Sequence, residues 1–133
     1  LKSLRQQIEK DETVLQKAYI QILDEKGEMR LSIRRENLIM IESADNYVCV
    51  YYLSDQKVKK TMVRNTLNRI AEHMSGTHIV RCHRSYMINL DHAKVLHRDK
   101  EGVFIELGLE GMPDVPISRT YADNVKAWLV DKA

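Results

Sequence analysis

The chain has 133 residues, of which 30% are charged and 44% are hydrophobic, and its formal net charge is +2. This length and composition are typical of one globular domain with a short appendage. They exclude a membrane-spanning helix, because no apolar run approaches the roughly 18 residues that such a helix needs. Two cysteines without framework spacing fit a reducing compartment, so we expect a cytoplasmic protein.

The charges are distributed unevenly along the chain. Residues 55–100 contain ten Lys and Arg residues and four acidic residues, a net charge of +6, whereas the remainder carries −4. All five histidines also lie in this basic segment. The pattern indicates either one surface that faces a polyanion or solvated charges scattered over several faces, and charge counts alone do not separate the two.

The first predicted element is a polar helix over residues 1–18, in which Leu1, Leu4, Ile8 and Leu15 follow a spacing of three or four residues. It is too short to be stable alone. We therefore interpret it as a linker or signalling helix rather than as a specific dimer seam. Residues 19–133 form the predicted folded domain.

Short strands separated by turns dominate the predicted domain. They are a hairpin over Tyr19–Ile33, an apolar run at Leu38–Glu42, and segments at Tyr47–Leu53, Val58–Val63, Ile79–Leu90, Ala93–Leu96, Val103–Leu107 and Val115–Ile117. Pro116 predicts that the last of these lies at a sheet edge. Apolar periodicity predicts a helix over Thr66–Met74 and a C-terminal helix for which Ser118 is the N-cap.

These elements together predict the fold class. It is mainly β, a compact antiparallel sandwich of small sheets with a short mid-chain helix and a C-terminal helix, preceded by the N-terminal linker helix. No phosphate-binding glycine loop, internal repeat or low-complexity stretch is present.

The strand pattern is interrupted at residues 81–85, whose sequence is R-C-H-R-S. Arg84 falls on the same parity as Cys82, Tyr86 and Ile88, although a guanidinium is costly to bury. One resolution is a loop that lifts Arg84 and its neighbours into solvent, where they face an anionic partner. The alternative is a buried pair between Arg84 and a carboxylate.

No arrangement of residues supports catalysis. Cys82 and His83 are adjacent, and neighbours on a strand point to opposite faces, so the imidazole does not reach the thiol as a base. The spacing of His73, His78 and His83 matches no shared metal geometry, and no C-x-x-C or H-x-x-x-H pair nucleates a zinc site. We predict no enzyme, no metal site and no cofactor, and we expect Cys82 and Cys49 to be buried rather than redox-active.

Three motifs, in order, resemble one family: the LytTR DNA-binding domains of bacterial transcriptional regulators. They are I-E-S-A-D-N-Y-V at 41–48, R-C-H-R-S-Y-M-I-N-L at 81–90 and P-I-S-R-T-Y at 116–121, and the likeness runs from about Leu38 to Leu129. The resemblance implies a compact all-β domain that reads DNA through loops entering successive major grooves. It also implies that a recognition helix is not used.

The family's contacting loops map onto three polar segments of this chain and onto the residues before the mid-chain helix. The implied DNA-binding residues are Asn46, Tyr47, Arg64, Asn65, His83, Arg84, Ser85, Ser118, Arg119 and Thr120. Arg84 and Arg119 can each bind guanine bidentately, and Asn46 suits adenine. Three alternatives stay open: Asn46 holds a left-handed turn, Arg119 pairs with Asp123, and the lysines of the basic segment are solvated charge rather than phosphate contacts.

The predicted function is sequence-specific DNA binding as the effector domain of a transcriptional regulator, presented by an upstream receiver of a two-component system or by a membrane sensor. A single small domain binds DNA modestly, so we expect paired sites and a homodimer to supply affinity. The alternative is a β-rich protein-interaction module in which residues 81–85 bind an acidic partner.

Overall fold

Alternating apolar positions and turn residues give the chain its strands. The computed structural model describes residues 18–132, and the side chains of these as far as residue 127; the linker helix predicted for residues 1–18 lies almost entirely outside them. The strands in this part are β1 (Tyr19–Leu23), β2 (Met29–Arg34), β3 (Leu38–Ala44), β4 (Tyr47–Ser54), β5 (Lys57–Arg64), β6 (Ile79–His83), β7 (Tyr86–Asn89), β8 (Val95–Asp99), β9 (Gly102–Glu106) and β10 (Val115–Ile117). The helices are α1 (Leu67–Glu72) and α2 (Ala122–Lys132), with 3-10 turns at Arg35–Asn37, Leu90–His92 and Arg119–Tyr121.

The described strands form three antiparallel sheets. The largest has the order β5-β4-β3-β7-β6, and two smaller sheets pair β1 with β2 and join β10, β9 and β8 in that order. Within the five-stranded sheet, β3 lies between its hairpin partner β4 and the distant strand β7. The mainly β, antiparallel character predicted from the sequence is confirmed.

Both faces of the five-stranded sheet are covered, which explains the apolar run at the start of β3. Leu38 and Ile41 pack in one core, and Ile39 and Met40 pack in the other. A register irregularity between Leu38 and Met40 accompanies this change of face. Strands that are buried on both faces read as continuous hydrophobic runs.

The two cores place the smaller elements on opposite sides of the sheet. The first core takes residues from the β1–β2 hairpin and from α1; these are Ile20, Ile22, Ile33, Leu67 and Ile70. The second takes residues from or near β9, β10 and α2; these are Ile105, Leu107, Val115 and Val125. The predicted sandwich is therefore a three-layer arrangement around one central sheet.

The helices differ from their predicted bounds. The mid-chain helix is shorter than predicted; Thr66 caps it by accepting a hydrogen bond from the Arg69 N–H at 3.3 Å. The C-terminal helix begins only after the 3-10 turn, and the Ser118 side chain forms no capping hydrogen bond. Instead, the Ser118 N–H donates to the Cys82 carbonyl at 2.9 Å. The edge position predicted from Pro116 is confirmed, since β10 is an outer strand of its sheet.

Candidate nucleic-acid interface

One end of the five-stranded sheet gathers polar residues from all five strands. In the antiparallel pairing, Ala44 lies opposite Tyr47, and Tyr47 lies opposite Arg64. On the other side of β3, Glu42 lies opposite Tyr86 at the start of β7. We call this end of the sheet, together with the β3–β4 and β6–β7 turns, the Arg84 end. With neighbouring strands about 4.8 Å apart it extends over about 19 Å, which is wider than a major groove of about 12 Å.

The turn between β3 and β4 leaves Asn46 available. Asp45 adopts the positive φ of this turn, at 56°, which Asp tolerates better than most residues. Asn46 is not among the positive-φ residues, and its side chain is exposed. The alternative in which Asn46 holds a left-handed turn is therefore wrong, because Asp45 adopts that conformation.

Tyr47 and Arg64 form a contact pair beside this turn. Tyr47 is 40% exposed, and the Arg64 guanidinium lies 5.8 Å from the centre of its ring. Arg64 Nε also lies 2.9 Å from Glu25 Oε1, with the arginine side chain still half-exposed. Such an exposed ion pair is weak, so a phosphate can replace Glu25 as the partner of Arg64.

Asn65 is buried, unlike the residue before it. It is only 5% exposed, its Nδ2 donates to the Leu23 carbonyl at 2.8 Å, and its Oδ1 accepts from the Thr66 N–H at 2.8 Å. The amide thus connects the end of β1 to the start of α1. This burial gives the Asn65 side chain a structural role, and its contact with DNA stays a prediction.

Arg84 and Ser85 form the two-residue turn between β6 and β7. Arg84 is exposed, so the alternative of a buried pair with a carboxylate is wrong. The register between the two strands shifts between Arg81 and His83, and this irregularity resolves the parity conflict that the sequence shows at Arg84. The Ser43 N–H donates to the Ser85 carbonyl at 2.9 Å, which ties the turn to β3.

Arg81 binds the backbone of the β6–β7 turn, a role that the sequence analysis missed. Its Nε donates to the His83 carbonyl at 2.9 Å, and its second terminal nitrogen donates to the Arg84 carbonyl. Its first terminal nitrogen donates to Asn68 Oδ1 at 2.9 Å, and the guanidinium lies 5.2 Å from the centre of the Tyr121 ring. One planar cation therefore joins the turn to α1 and to the 3-10 turn before α2.

His83 is held in its neutral form by the same turn. Its Nδ1 accepts a hydrogen bond from the Ser85 N–H at 3.0 Å, which requires the other ring nitrogen to carry the proton. Partial burial lowers the pKa of His83, and the neighbouring cations Arg84 and Arg81 lower it further. The Tyr86 ring packs against the imidazole, with the ring centres 5.5 Å apart.

The segment 118–120 lies next to the β6–β7 turn. Besides the bond from Ser118 to Cys82, Asn124 Nδ2 donates to the Arg81 carbonyl at 2.8 Å and fixes the start of α2 against β6. Arg119 and Thr120 are exposed. Arg119 and Asp123 form no ion pair within the described part of the chain, which removes the alternative in which these two side chains pair.

The sequence of the described domain identifies the family of the chain. Residues 28–130 match the family of LytTr DNA-binding domains. The chain belongs to the LytTR family. The predicted resemblance is thereby confirmed, and DNA binding is the activity for which that family of domains is defined.

A solved structure shows the LytTR fold as well. The LytTr DNA-binding domain of a putative methyl-accepting/DNA response regulator from Bacillus cereus aligns with a TM-score of 0.56 at 18% sequence identity, over 85% of this chain and 97% of that one. No curated protein matches the sequence. Within residues 18–132, no helix is both long and apolar enough to cross a membrane.

Cys82, in the second motif of this LytTR domain, is fully buried. Burial raises the pKa of its thiol to about 12, and the Sγ lies 3.7 Å from the Tyr86 carbonyl, to which it donates. A neutral, enclosed thiol is a poor nucleophile, and His83 bonds to Ser85 instead of to sulfur. The predicted burial of Cys82 and Cys49 is confirmed, while their redox inactivity stays a prediction.

Proposed function

We propose that this LytTR domain binds double-stranded DNA sequence-specifically, as the effector domain of a transcriptional regulator. The observation that carries the proposal is the grouping of exposed Asn46, Arg84 and Arg119 on turns at, or next to, one end of a single sheet. These are side chains that read base edges in the major groove, through guanine for the arginines and adenine for the asparagine.

The turns are fixed before any ligand arrives. Arg84 projects from a turn in which the His83 and Arg84 carbonyls accept hydrogen bonds from Arg81, and the Ser85 carbonyl accepts one from β3. A rigid scaffold loses less conformational entropy on binding than a mobile loop. Preorganisation therefore favours base contacts by Arg84 over non-specific charge neutralisation.

The remaining side chains at this end have the chemistry of phosphate contacts. Hydroxyl, amide, imidazole and guanidinium donors that contact the backbone position a protein on the duplex. We assign this role to Tyr47, Arg64, His83, Ser85 and Thr120. The Ser118 hydroxyl is buried, so it does not take this role. We propose that the turns at the Arg84 end enter successive major grooves.

Usable affinity requires more than one small domain. We propose that an upstream receiver or membrane sensor module presents this domain to DNA in the cytoplasm, and that a homodimer occupies paired sites. Two linked domains bind far more tightly than either does alone when both reach their half-sites.

Selection of bound fragments from a random duplex DNA pool tests the proposal. We expect one enriched motif containing guanine and adenine contacts, and no such enrichment with Arg84→Ala. If the DNA fragments that the wild-type chain binds shared no motif, sequence-specific binding would be contradicted. In that case, tight binding of an acidic peptide at the same residues would favour the protein-interaction alternative.

A further inference from the structure

A second cluster of polar side chains lies on the three-stranded sheet, outside the proposed DNA surface. In the strand register, His97 on β8 is opposite Phe104 on β9, and Ile105 is opposite Val115. Ile105 and Val115 point into the core. Because side chains alternate along a strand, Phe104 and Glu106 on β9 face outward. They share this outer face with His97.

Three side chains converge on this outer face. His97 Nε2 lies 3.1 Å from Asp114 Oδ2 and 3.8 Å from Glu106 Oε1. The potential ligand atoms of the three residues all lie within 4.8 Å of one another. The His97 ring stacks on Phe104, with ring centres 5.7 Å apart and planes at 21°, so the imidazole is oriented from the opposite strand.

We propose that His97, Glu106 and Asp114 form a binding site for a divalent first-row transition metal ion, with Zn²⁺ as the reference ion. An imidazole nitrogen and two carboxylate oxygens are a donor set that such ions accept, leaving a position for water. Two carboxylates held close together also repel each other, and a dication neutralises both.

The distances are compatible with coordination. Zinc ligands at about 2.0–2.2 Å from the ion place tetrahedral donor atoms about 3.4 Å from one another. The two distances from His97 Nε2, 3.1 Å and 3.8 Å, lie on either side of that value. Both carboxylate side chains are about half-exposed, so rotation of Glu106 closes the remaining gap without moving the backbone.

The sequence predicted no metal site because it contains no candidate ligands at short, regular spacing. Here the ligands are nine and eight positions apart in sequence, and they meet because β8, β9 and the segment before β10 lie side by side. An ion at this position would join all three strands of the sheet. Since β10 leads directly into Ser118, the ion would also fix the position of the polar segment at residues 118–120.

Isothermal titration of the tag-free 133-residue chain with ZnCl₂ tests the site, with the Co²⁺ absorption spectrum as a second readout. We expect one ion per chain, and at least tenfold weaker binding for both His97→Asn and Asp114→Asn. His78→Asn is the matched control, because His78 also contacts a carboxylate, that of Asp91 at 2.7 Å, but lies outside the cluster.

Circular dichroism verifies that each variant is folded before titration. If one of the two ligand variants unfolds, the other still tests the site. The proposal is overturned if the wild-type chain shows no saturable binding, or if either folded ligand variant binds Zn²⁺ as tightly as the wild type. Weakening in His78→Asn equal to that in His97→Asn would also overturn it.

Discussion

Arg84 projects into solvent from a turn that its neighbours hold in place, and this makes it the most direct test of base reading. We predict that Arg84→Ala weakens binding to the selected site by about 1–3 kcal/mol and weakens binding to random DNA much less. The physical reason is the loss of a bidentate contact with guanine. Fluorescence anisotropy with both DNAs measures the difference.

The matched control for Arg84→Ala is Lys57→Ala. Lys57 is exposed and lies at the opposite end of the same sheet, so its removal changes the net charge equally without altering the Arg84 end. If Arg84→Ala weakened binding to the selected site and to random DNA equally, Arg84 would contact phosphate only.

His83 makes the β6–β7 turn sensitive to acid. Its pKa in the folded chain lies below the ordinary 6.5, so its contribution to stability is complete above that pH. It is lost progressively as the pH falls from 6.5 to the folded pKa, because the unfolded chain then binds a proton that the folded chain does not. Protonation also removes the Nδ1 lone pair that accepts the Ser85 N–H.

We therefore predict that the His83 imidazole titrates below pH 6.5 in NMR spectra, and that the Ser85 amide resonance shifts with it. The urea midpoint of the wild-type chain falls more steeply between pH 7 and pH 5 than that of His83→Gln. An imidazole that titrates at or above 6.5 would contradict the hydrogen bond described for this turn.

At the scale of elements, Arg81 joins a turn, a helix and a 3-10 turn. We predict that Arg81→Lys lowers the free energy of unfolding by about 1–3 kcal/mol, because carbonyl acceptors lose their donors and a compact ammonium cannot replace a planar fork. Urea denaturation measures this loss, with Arg98→Lys on exposed β8 as the control. Equal stability of the two variants would contradict the role of Arg81 in holding the turn.

Asn65 links two elements of the fold through its buried amide. We predict that Asn65→Ala also lowers the free energy of unfolding by about 1–3 kcal/mol, because the Leu23 carbonyl and the Thr66 N–H lose their partner. Its DNA affinity, corrected for the folded fraction, stays at the wild-type value. A stable variant with weakened DNA binding would instead support the predicted contact between Asn65 and DNA.

Local patterns in the sequence predicted most of these elements. The parity conflict at Arg84 required a loop, and Pro116 required an edge strand; both are present. The pattern could not show that β7 pairs with β3, because strand partners distant in sequence are chosen by packing rather than by local periodicity. The structural roles of Arg81 and Asn65 were missed for a related reason, since a polar side chain can satisfy its hydrogen bonds only through neighbours that the fold supplies.

For the whole molecule, the distribution of charge determines how DNA binding responds to salt. The basic segment at residues 55–100 predicts that affinity falls steeply as salt rises, by about 0.9 in log–log slope for each phosphate contacted. Arg64→Ala is expected to reduce that slope by about 1. Anisotropy titrations across a series of KCl concentrations measure both, and a flat response would exclude this surface as the DNA contact.

The side chains that point out of the turns at the Arg84 end belong to neither apolar core. Exchanging exposed residues such as Asn46 or Arg84 leaves the buried area unchanged, and substitutions of this kind usually alter stability by less than about 0.5 kcal/mol. Under the proposed function, operator preference can therefore evolve one turn residue at a time while the scaffold persists. A fold shared with the Bacillus cereus domain at 18% identity is the outcome expected when recognition and folding are carried by separate residues.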